Sequence, residues 1–329
     1  MSKNAIIRRR TFLGAAAAAG TLAAPVIGRA QAWPSKPVRV VNAYSAGGTA
    51  DVVCRIYCQA LGEKLGQSFT VDNKPGAAGT IAAQIVARAP NDGYTILYDA
   101  TAQSVNPSLF AGKLTYDTKR DLLPIAQTMV TPVTLVRNAQ FPAKTIPELI
   151  ALAKSKPGTL DCASTGIGTV QHVSLELLNQ KAGIKINHVP YKEMGSVRND
   201  LFAGRIPLLF NNVPGTVALL TSKDVSCMAH TGPKPVDVLP GVPAISEVLP
   251  GFETWEWNGL FAPAGTDPAL ISRLNAEVNA VMKVESVAKR LAELGALTQA
   301  NTVVEFTAFR EKQIAFFAEM VKSADIRIE

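Results

Sequence analysis

The chain has 329 residues, 47% of them hydrophobic, and a formal net charge of +7. Five of its 33 basic residues and none of its 26 acidic residues lie in residues 1–32, so the rest of the chain holds 28 bases against 26 acids, a net charge near +2. This balance, without any block of five like charges, gives no electrostatic footprint for nucleic acid. The length and apolar content suit two domains of ordinary size.

Residues 1–32 have the pattern of an export signal. A basic segment with Arg8–Arg10 precedes an apolar, alanine-rich run at residues 12–27, and residues 30–32 form a small-x-small cleavage site. Arg9 and Arg10, followed by Thr-Phe-Leu, also fit the twin-arginine pattern. A transmembrane anchor is the alternative, but the apolar run is short and is broken by a glycine and a proline. We expect a periplasmic protein exported through a twin-arginine-type signal peptide.

Beyond residue 32, short apolar runs alternate with segments of helical periodicity, a pattern typical of parallel α/β proteins. Strands are predicted at Val38–Val41, Phe69–Val71, Tyr94–Tyr98, Ile125–Val136, Leu160–Ser164, Lys185–Val189, Ile206–Phe210, Val225–His230 and Trp255–Ala262. Helices are predicted at Val52–Leu65, Thr80–Ala89, Ile146–Ser155, from Thr169 onward, and at Ser196–Ala203, Gly215–Leu220, Pro268–Val284, Ser286–Leu294 and Glu305–Ala324. The strand at Ile125–Val136 is interpreted as a crossing from one domain to the other.

Two segments share the order strand, glycine turn, helix N-terminus. The first is the turn at Ala43–Asp51, and the second is the turn at Ser164–Thr169. Glycines permit positive φ, and the free N–H groups and dipole of a helix start favour an anion such as a carboxylate. The Gly-Gly spacing matches neither a dinucleotide fingerprint nor a P-loop. A plain structural turn is the alternative for either segment alone.

Polar residues at the ends of other predicted strands are further candidates. A polar loop is predicted at Thr101–Asn106, where open α/β sheets bind ligands, with a solvated loop as the alternative. Tyr191 and Asn212 also follow strands. Asp51 is interpreted first as a brace for the helix start and second as a ligand contact, and His172 either enters the cleft or caps its helix. His188 and His230 are interpreted as structural.

Four cysteines would lie in an oxidising compartment, which invites disulfides. Cys54 and Cys58 are four residues apart on one helix, where a bridge would be strained, so we expect buried thiols. A bridge between Cys162 and Cys227 is the alternative pairing. The histidine and cysteine spacings do not predict a metal site, and no motif predicts a cofactor.

Several motifs in order resemble the extracytoplasmic receptors of tripartite tricarboxylate transporters, the Bug proteins. They cover nearly the whole chain after residue 32 and occur at Trp33–Arg39, Gly47–Asp51, Val71–Gly79, Ala87–Thr95, Asn106–Phe110, Ala163–Thr169, His188–Lys192 and Phe261–Thr266. Departures from the family pattern include Tyr44 and Ser45 before the first glycines and Glu193, which puts a negative charge where a small glycine is usual.

The resemblance implies a type II periplasmic-binding-protein fold, in which two α/β lobes joined by two crossover strands close on a ligand. The expected domains are residues 33–130 with 256–329 for lobe 1, and residues 131–255 for lobe 2. In the family, the two glycine turns hold one carboxylate of the ligand, largely through backbone groups and water. The residues thereby expected to bind the ligand are Tyr44, Ser45, Ala46, Gly47, Gly48, Thr49, Asp51, Thr101, Gln103, Ser104, Asn106, Ser164, Thr165, Gly166, Gly168, Thr169, His172, Tyr191 and Asn212.

The function implied by the resemblance is capture of a small carboxylate and its delivery to the membrane subunits of a tripartite tricarboxylate transporter. We expect a monomer that uses no cofactor and binds no nucleic acid. A sensor that passes the signal to a membrane kinase is the first alternative. A hydrolase using a serine with His172 or His230 is a remote alternative, because no G-x-S-x-G elbow is present.

Overall fold

The computed structural model describes residues 33–191, 194–324 and 326. The export signal at residues 1–32 and the departure at Glu193 lie outside the described residues. Within the described ranges, no helix is both long and apolar enough to cross a bilayer.

The described chain is a mixed α/β structure with nine named strands and ten α-helices. The strands are β1 Val38–Asn42, β2 Phe69–Asn73, β3 Thr95–Ala100, β4 Leu122–Asn138, β5 Leu160–Ser164, β6 Ile186–Pro190, β7 Leu208–Asn212, β8 Val225–His230 and β9 Trp255–Pro263. The helices are α1 Thr49–Leu65, α2 Thr80–Ala87, α3 Ala102–Leu109, α4 Ile146–Ser155, α5 Val170–Ala182, α6 Met194–Phe202, α7 Val213–Leu219, α8 Pro268–Met282, α9 Glu285–Glu293 and α10 Val303–Ser323.

The strand order is β2-β1-β3-β9-β4-β7-β5-β6, and β8 also pairs with β4. In what we term the first half, β1 runs parallel to β2 and β3, and β9 lies antiparallel between β3 and residues 122–132 of β4. In the second half, β5 runs parallel to β6 and β7, and residues 133–138 of β4 pair with β7 and β8. The predicted crossing strand is therefore confirmed, and the two-lobe α/β arrangement follows from it.

Parallel strands place the two glycine turns at equivalent positions. β1 and β3 end at residues 42 and 100 of the first half, and β5 and β7 end at residues 164 and 212 of the second half. The carboxyl ends of strands form the edge where open sheets bind ligands. Each half therefore presents its turn at such an edge.

Local sequence sets the helix limits. Thr302 and Glu305 form a capping box at the start of α10, and the Thr169 hydroxyl accepts from the His172 N–H at the start of α5. At their C-terminal ends, α1 and α5 stop at Gly66 and Gly183, both in the left-handed conformation that glycine adopts without steric cost.

The predicted polar loop at Thr101–Asn106 is wrong, because this segment starts helix α3 directly after β3. Pro107 and several polar residues made the segment resemble a loop, but α3 is only eight residues long. Its polar residues Gln103, Ser104 and Asn106 are buried, as are its apolar residues Val105 and Leu109. Tertiary packing therefore overrides the weak local preference.

Helix α10 contributes to a hydrophobic core in each half of the sheet. Phe306 near its start packs against Trp257 and Phe261 in the first half. Phe317 and Met320 near its end belong to the core of the second half. Val105 and Leu109 of α3 join the same second core, so two elements of the first half are packed against the second.

All four cysteines are free thiols. Cys54 and Cys58 are buried, as expected, with their Sγ atoms 3.8 Å apart. Cys162 and Cys227 are not bridged, so the alternative pairing does not occur in this structure.

Candidate functional site

The first glycine turn joins β1 to α1. Gly47 has φ +81°, and Gly48 is the extended N-cap residue of α1. Ser45 to Gly48 are exposed, and in the described structure no side chain caps the first turn of α1. The N–H groups of that first turn are therefore available to an anion, as a ligand-binding helix start requires.

Asp51 holds this turn in place. Its carboxylate accepts hydrogen bonds from the Gly47 N–H at 2.9 Å, from Asn73 Nδ2 at 2.7 Å and from Arg55 Nε at 2.9 Å, with Asn42 Nδ2 at 3.3 Å. Burial would raise the pKa of Asp51, but these donors outweigh it and lower the pKa to about 2. The geometry supports the bracing role; the expected ligand contact stays a prediction.

The second glycine turn joins β5 to α5 and is fixed by its own polar groups. Ser164 Oγ accepts from the Gly166 N–H at 3.1 Å, and Thr169 Oγ1 donates to the Gly166 carbonyl at 2.9 Å. Thr165 contacts Gln171, with 3.4 Å between Oγ1 and Oε1. Gly166 and Gly168 have φ of +132° and +75°, which explains the two glycines.

Two histidines support the second turn from inside. His172 Nδ1 accepts from the Gly168 N–H at 3.1 Å, so Nε2 carries the proton of the neutral ring. The His172 ring stacks on His188 with a centroid distance of 3.7 Å, and His188 Nε2 lies 2.6 Å from Ser164 Oγ. Burial lowers the pKa of His172 to about 4, and burial together with His172 lowers that of His188 to about 3. Both rings are therefore neutral near pH 7.

The two turns contact the opposite half of the sheet. Asn212 caps α7 by accepting from the Gly215 N–H at 3.0 Å, and its Nδ2 lies 3.4 Å from Thr49 Oγ1 at the start of α1. Gly168 packs against Leu109 of α3, so closely that a Cβ atom at position 168 would overlap the Leu109 side chain. The structure thus places Thr49 beside Asn212, and Gly168 beside Leu109, at the boundary of the halves.

The predicted residues of α3 are buried. Thr101 Oγ1 accepts from the Trp257 N–H at 3.1 Å, Gln103 Nε2 donates to Asp99 at 2.7 Å, and Asn106 Nδ2 donates to the Ala78 carbonyl at 2.8 Å. Ser104 Oγ is buried and has no hydrogen-bond partner within the described ranges, and the same holds for Gln103 Oε1. These side chains therefore form hydrogen bonds within the protein, and some of their oxygen atoms accept no hydrogen bond from any described residue.

Tyr191 lies at the end of β6, where its N–H donates to the Ser164 carbonyl at 3.0 Å. Its hydroxyl donates to Asp200 at 2.8 Å, and Asp200 is also paired with Arg205. The side chain is thereby engaged with α6, while its backbone supports the second turn.

Sequence reasoning missed two carboxyl groups near the first turn. Asp99, at the end of β3, is fully buried and accepts from the Ala100 N–H at 2.8 Å and from Gln103. Burial raises the pKa of Asp99 to about 7, and burial with the nearby Asp99 raises that of Glu256 to about 8. Both acids lie near Tyr44, and the pKa of Tyr44 is raised by burial first and then by Asp99 and Glu256. The only sequence signal was an acidic residue within an apolar strand.

Two surface pockets lie apart from this site. One of about 440 Å³ is lined by Phe110, Tyr116 and Arg120 among others, and one of about 260 Å³ lies beside Pro132, Trp255 and further residues. None of the nineteen predicted residues lines either pocket. The candidate site is therefore defined by the contacts between the halves.

Comparison with known proteins decides the family. The sequence model described as tripartite tricarboxylate transporter family receptor matches residues 53–325. The chain belongs to this family. The resemblance inferred from the motifs is thereby confirmed.

Among the relatives of this transporter receptor is a UPF0065 protein encoded in the tcbD-tcbE intergenic region of Pseudomonas sp. (strain P51). It is 36% identical over 294 residues, which cover 89% of this chain and 87% of the relative.

Two solved structures are similar to this chain over most of its length. An R. palustris protein solved with adipate is 31% identical, with a TM-score of 0.83 over 90% of this chain and 99% of that one. MatC from Rhodopseudomonas palustris, with bound malate, is also 31% identical, with a TM-score of 0.78 over 88% of this chain and 99% of that one. The expected two-lobe α/β fold of the receptor is thereby confirmed.

Proposed function

We propose that this receptor captures a small carboxylate in the periplasm and delivers it to the membrane subunits of a tripartite tricarboxylate transporter. The observation that carries the proposal is the pair of glycine turns, each leading into a helix start, on the two halves of the sheet. Converging N–H groups hold a carboxylate without a buried cation. Two structural relatives were solved with adipate and malate, which are both dicarboxylates.

The proposed residues act through their backbone. Ser45, Ala46 and Thr49 in the first turn and Thr165, Ile167 and Thr169 in the second supply the N–H groups, because those of Gly47, Gly166 and Gly168 are already bonded inside the turns. Water completes the hydrogen bonds of the carboxylate. Asp51, His172 and His188 hold the two turns in shape. The contact between Thr49 and Asn212 closes the site over the ligand.

Binding rather than catalysis is the proposed activity. Ser164 Oγ lies beside His188, but it also accepts from the Gly166 N–H inside its own turn. Turnover of a bound acid that disappears in His172→Ala would overturn this assignment.

A proline substitution tests the role of the first turn. Thr49 is the first residue of α1, a position that tolerates proline, and Gly48 has φ −74° and ψ 165°, as a residue before proline requires. Thr49→Pro therefore removes one N–H donor and the hydroxyl while keeping the helix. Thr49→Ala is the control, because it removes the hydroxyl and keeps the N–H.

The measurement is isothermal titration with a carboxylate found by thermal-shift screening of di- and tricarboxylates, acidic amino acids and aromatic acids. We expect Thr49→Pro to weaken binding about tenfold or more relative to Thr49→Ala, as the loss of a hydrogen bond to a charged group implies. Equal affinities of the two variants would show that the Thr49 N–H at the start of α1 does not bind the carboxylate. A screen without any stabilising acid would contradict the function.

Export and assembly are parts of the same proposal. The leader at residues 1–32 is proposed to direct twin-arginine export, and the mature chain is proposed to be a monomer. Replacing Arg9 and Arg10 by lysine should keep the protein in the cytoplasm, as cell fractionation would measure. Co-purification with transporter membrane subunits separates a transport receptor from a sensor that acts on a kinase.

A further inference from the structure

Glu256 lies at the ligand-binding edge of the first half. β9 pairs with β3 as far as Ala100, which lies opposite Asn258. Glu256 is two residues beyond this pair, opposite Thr131 of the crossing strand β4. It therefore lies past the carboxyl end of β3, near Tyr44 of the first glycine turn.

The carboxyl group of Glu256 is half-buried, and it has neither a hydrogen bond nor an ion pair with any residue that the structure describes. Burial and the nearby Asp99 raise its pKa to about 8. A carboxylate that is partly removed from water and has no donor costs free energy, which a positive group on a ligand would recover. Asp51 differs from Glu256 in this respect, because four hydrogen-bond donors surround its carboxylate.

Neighbouring groups add acceptors rather than cations. Asn258 is 1% exposed, and in the described structure neither amide atom has a partner. Alternate residues of a strand point to the same side, so Asn258 and Glu256 share one side of β9. β3, α3 and residues 122–132 of β4 carry no lysine or arginine.

We propose that Glu256, with the amide of Asn258, is the subsite for an ammonium group, so that the receptor takes an amino-carboxylate. The inference rests on the proposed function, because it assumes that the glycine turns hold the carboxylate end of the same ligand. A second carboxylate in that position would meet the carboxyl group of Glu256, and the neighbouring segments β3, α3 and residues 122–132 of β4 carry no lysine or arginine to balance it. An ammonium group supplies three donors to these acceptors.

Matched pairs of ligands test the subsite by titration calorimetry at pH 7.5. The probes are 4-aminobutanoate, 5-aminopentanoate and glutamate, each compared with the same acid without its amino group, namely butanoate, pentanoate and glutarate. In the unaltered protein, we expect at least one amino acid to bind about tenfold or more tightly than its counterpart. This comparison needs no variant and so does not depend on a substitution being tolerated.

Glu256→Gln keeps the shape and cannot ionise when an ammonium group binds, and exposed Glu293→Gln on α9 is the matched control. We expect Glu256→Gln to abolish the tenfold preference and to change binding of the deaminated acids by less than about threefold. Two results would overturn the ammonium subsite but not the proposed function. One is tighter binding of the deaminated acids than of the amino acids by the unaltered protein. The other is an equal loss of affinity for both members of a pair in Glu256→Gln. Failure of all six probes, with succinate and malate as further acids, would overturn the proposed function as well.

Discussion

At the scale of single residues, Asp51 shows how a carboxylate can hold a glycine turn in place through its hydrogen bonds. Its negative charge satisfies the Gly47 N–H and two amide groups, and Arg55 balances it. The turn is thereby rigid before a ligand arrives. Preorganisation of this kind lowers the entropic cost of binding.

Asp51→Asn should lower the free energy of unfolding by about 1.5–3 kcal/mol, because hydrogen bonds from several donors to a buried charged acceptor are lost. Asp72→Asn is the control, since Asp72 pairs with Arg39 and Lys74 at the surface, where an ion pair contributes about 1 kcal/mol or less. Urea denaturation measures both variants. Equal effects of the two substitutions would show that Asp51 is not a brace.

Asp99 should make stability depend on pH. Its folded-state pKa of about 7 lies above the ordinary value of 3.8, so the folded protein holds a proton that the unfolded chain has already released. Stability is therefore highest below the ordinary pKa and decreases as the pH rises towards 7. Relative to Asp99→Asn, the unaltered protein should lose on the order of 2 kcal/mol between pH 5 and pH 8.

The check for this prediction is urea denaturation of both proteins at pH 5 and at pH 8. Parallel pH profiles for the two proteins would exclude a raised pKa at Asp99. If the stability of the unaltered protein relative to Asp99→Asn increased from pH 5 to pH 8, the sign of the predicted effect would be wrong.

The residues of the site divide into those that local sequence predicts and those that only packing determines. Gly47, Gly48, Gly166 and Gly168 were predictable because a strand, a turn and a helix start follow one another in sequence. The support of the second turn by His188 was not predictable, since it depends on the pairing of β5 with β6. The ligand contacts themselves stay predictions.

At the scale of elements, α3 is the helix that the local sequence predicted wrongly, as a loop. Its polar residues and Pro107 resemble a loop, and only the two apolar residues that enter the second core reveal a helix. The long strand β4 was predictable, because a run of β-branched residues has no helical period. Its role in both halves follows from pairing partners that lie far apart in sequence.

The contact between α3 and the second turn can be tested with alanine substitutions. Gly168→Ala and Gly183→Ala both place a side chain at positive φ, but only position 168 meets Leu109, whereas position 183 is open. We expect Gly168→Ala to cost about 1–3 kcal/mol more than Gly183→Ala in free energy of unfolding. Chemical denaturation measures the difference.

A double variant isolates the steric cause. Leu109→Ala should remove the extra cost of Gly168→Ala, giving a coupling between the two sites of about 0.5–3 kcal/mol. Additive effects would mean that the two residues do not touch across the halves.

At the scale of the whole molecule, α10 joins the two cores. Phe306 lies in the core of the first half, and Phe317, which is fully buried, lies in the core of the second. Such a shared helix makes separate unfolding of the halves unfavourable, because either core would lose part of its packing when the other opened.

Phe317→Ala should therefore lower the stability of the entire described fold by about 3–5 kcal/mol and leave a single unfolding transition. Differential scanning calorimetry gives the test through the ratio of calorimetric to van't Hoff enthalpy. Phe306→Ala is the matched variant in the other core. Two resolved transitions in either variant would show that α10 does not couple the halves.

The two glycine turns also determine how the receptor should respond to ionic strength. Residues 43–51 and 164–169 contain no lysine or arginine, and Arg55 is paired with Asp51. An anion held by backbone dipoles at short range is little affected by the Debye screening that weakens attraction between exposed charges. Capture of the carboxylate end should thus be nearly constant from dilute to concentrated salt, an advantage for a receptor proposed to work in the periplasm, whose ionic strength follows the surroundings of the cell.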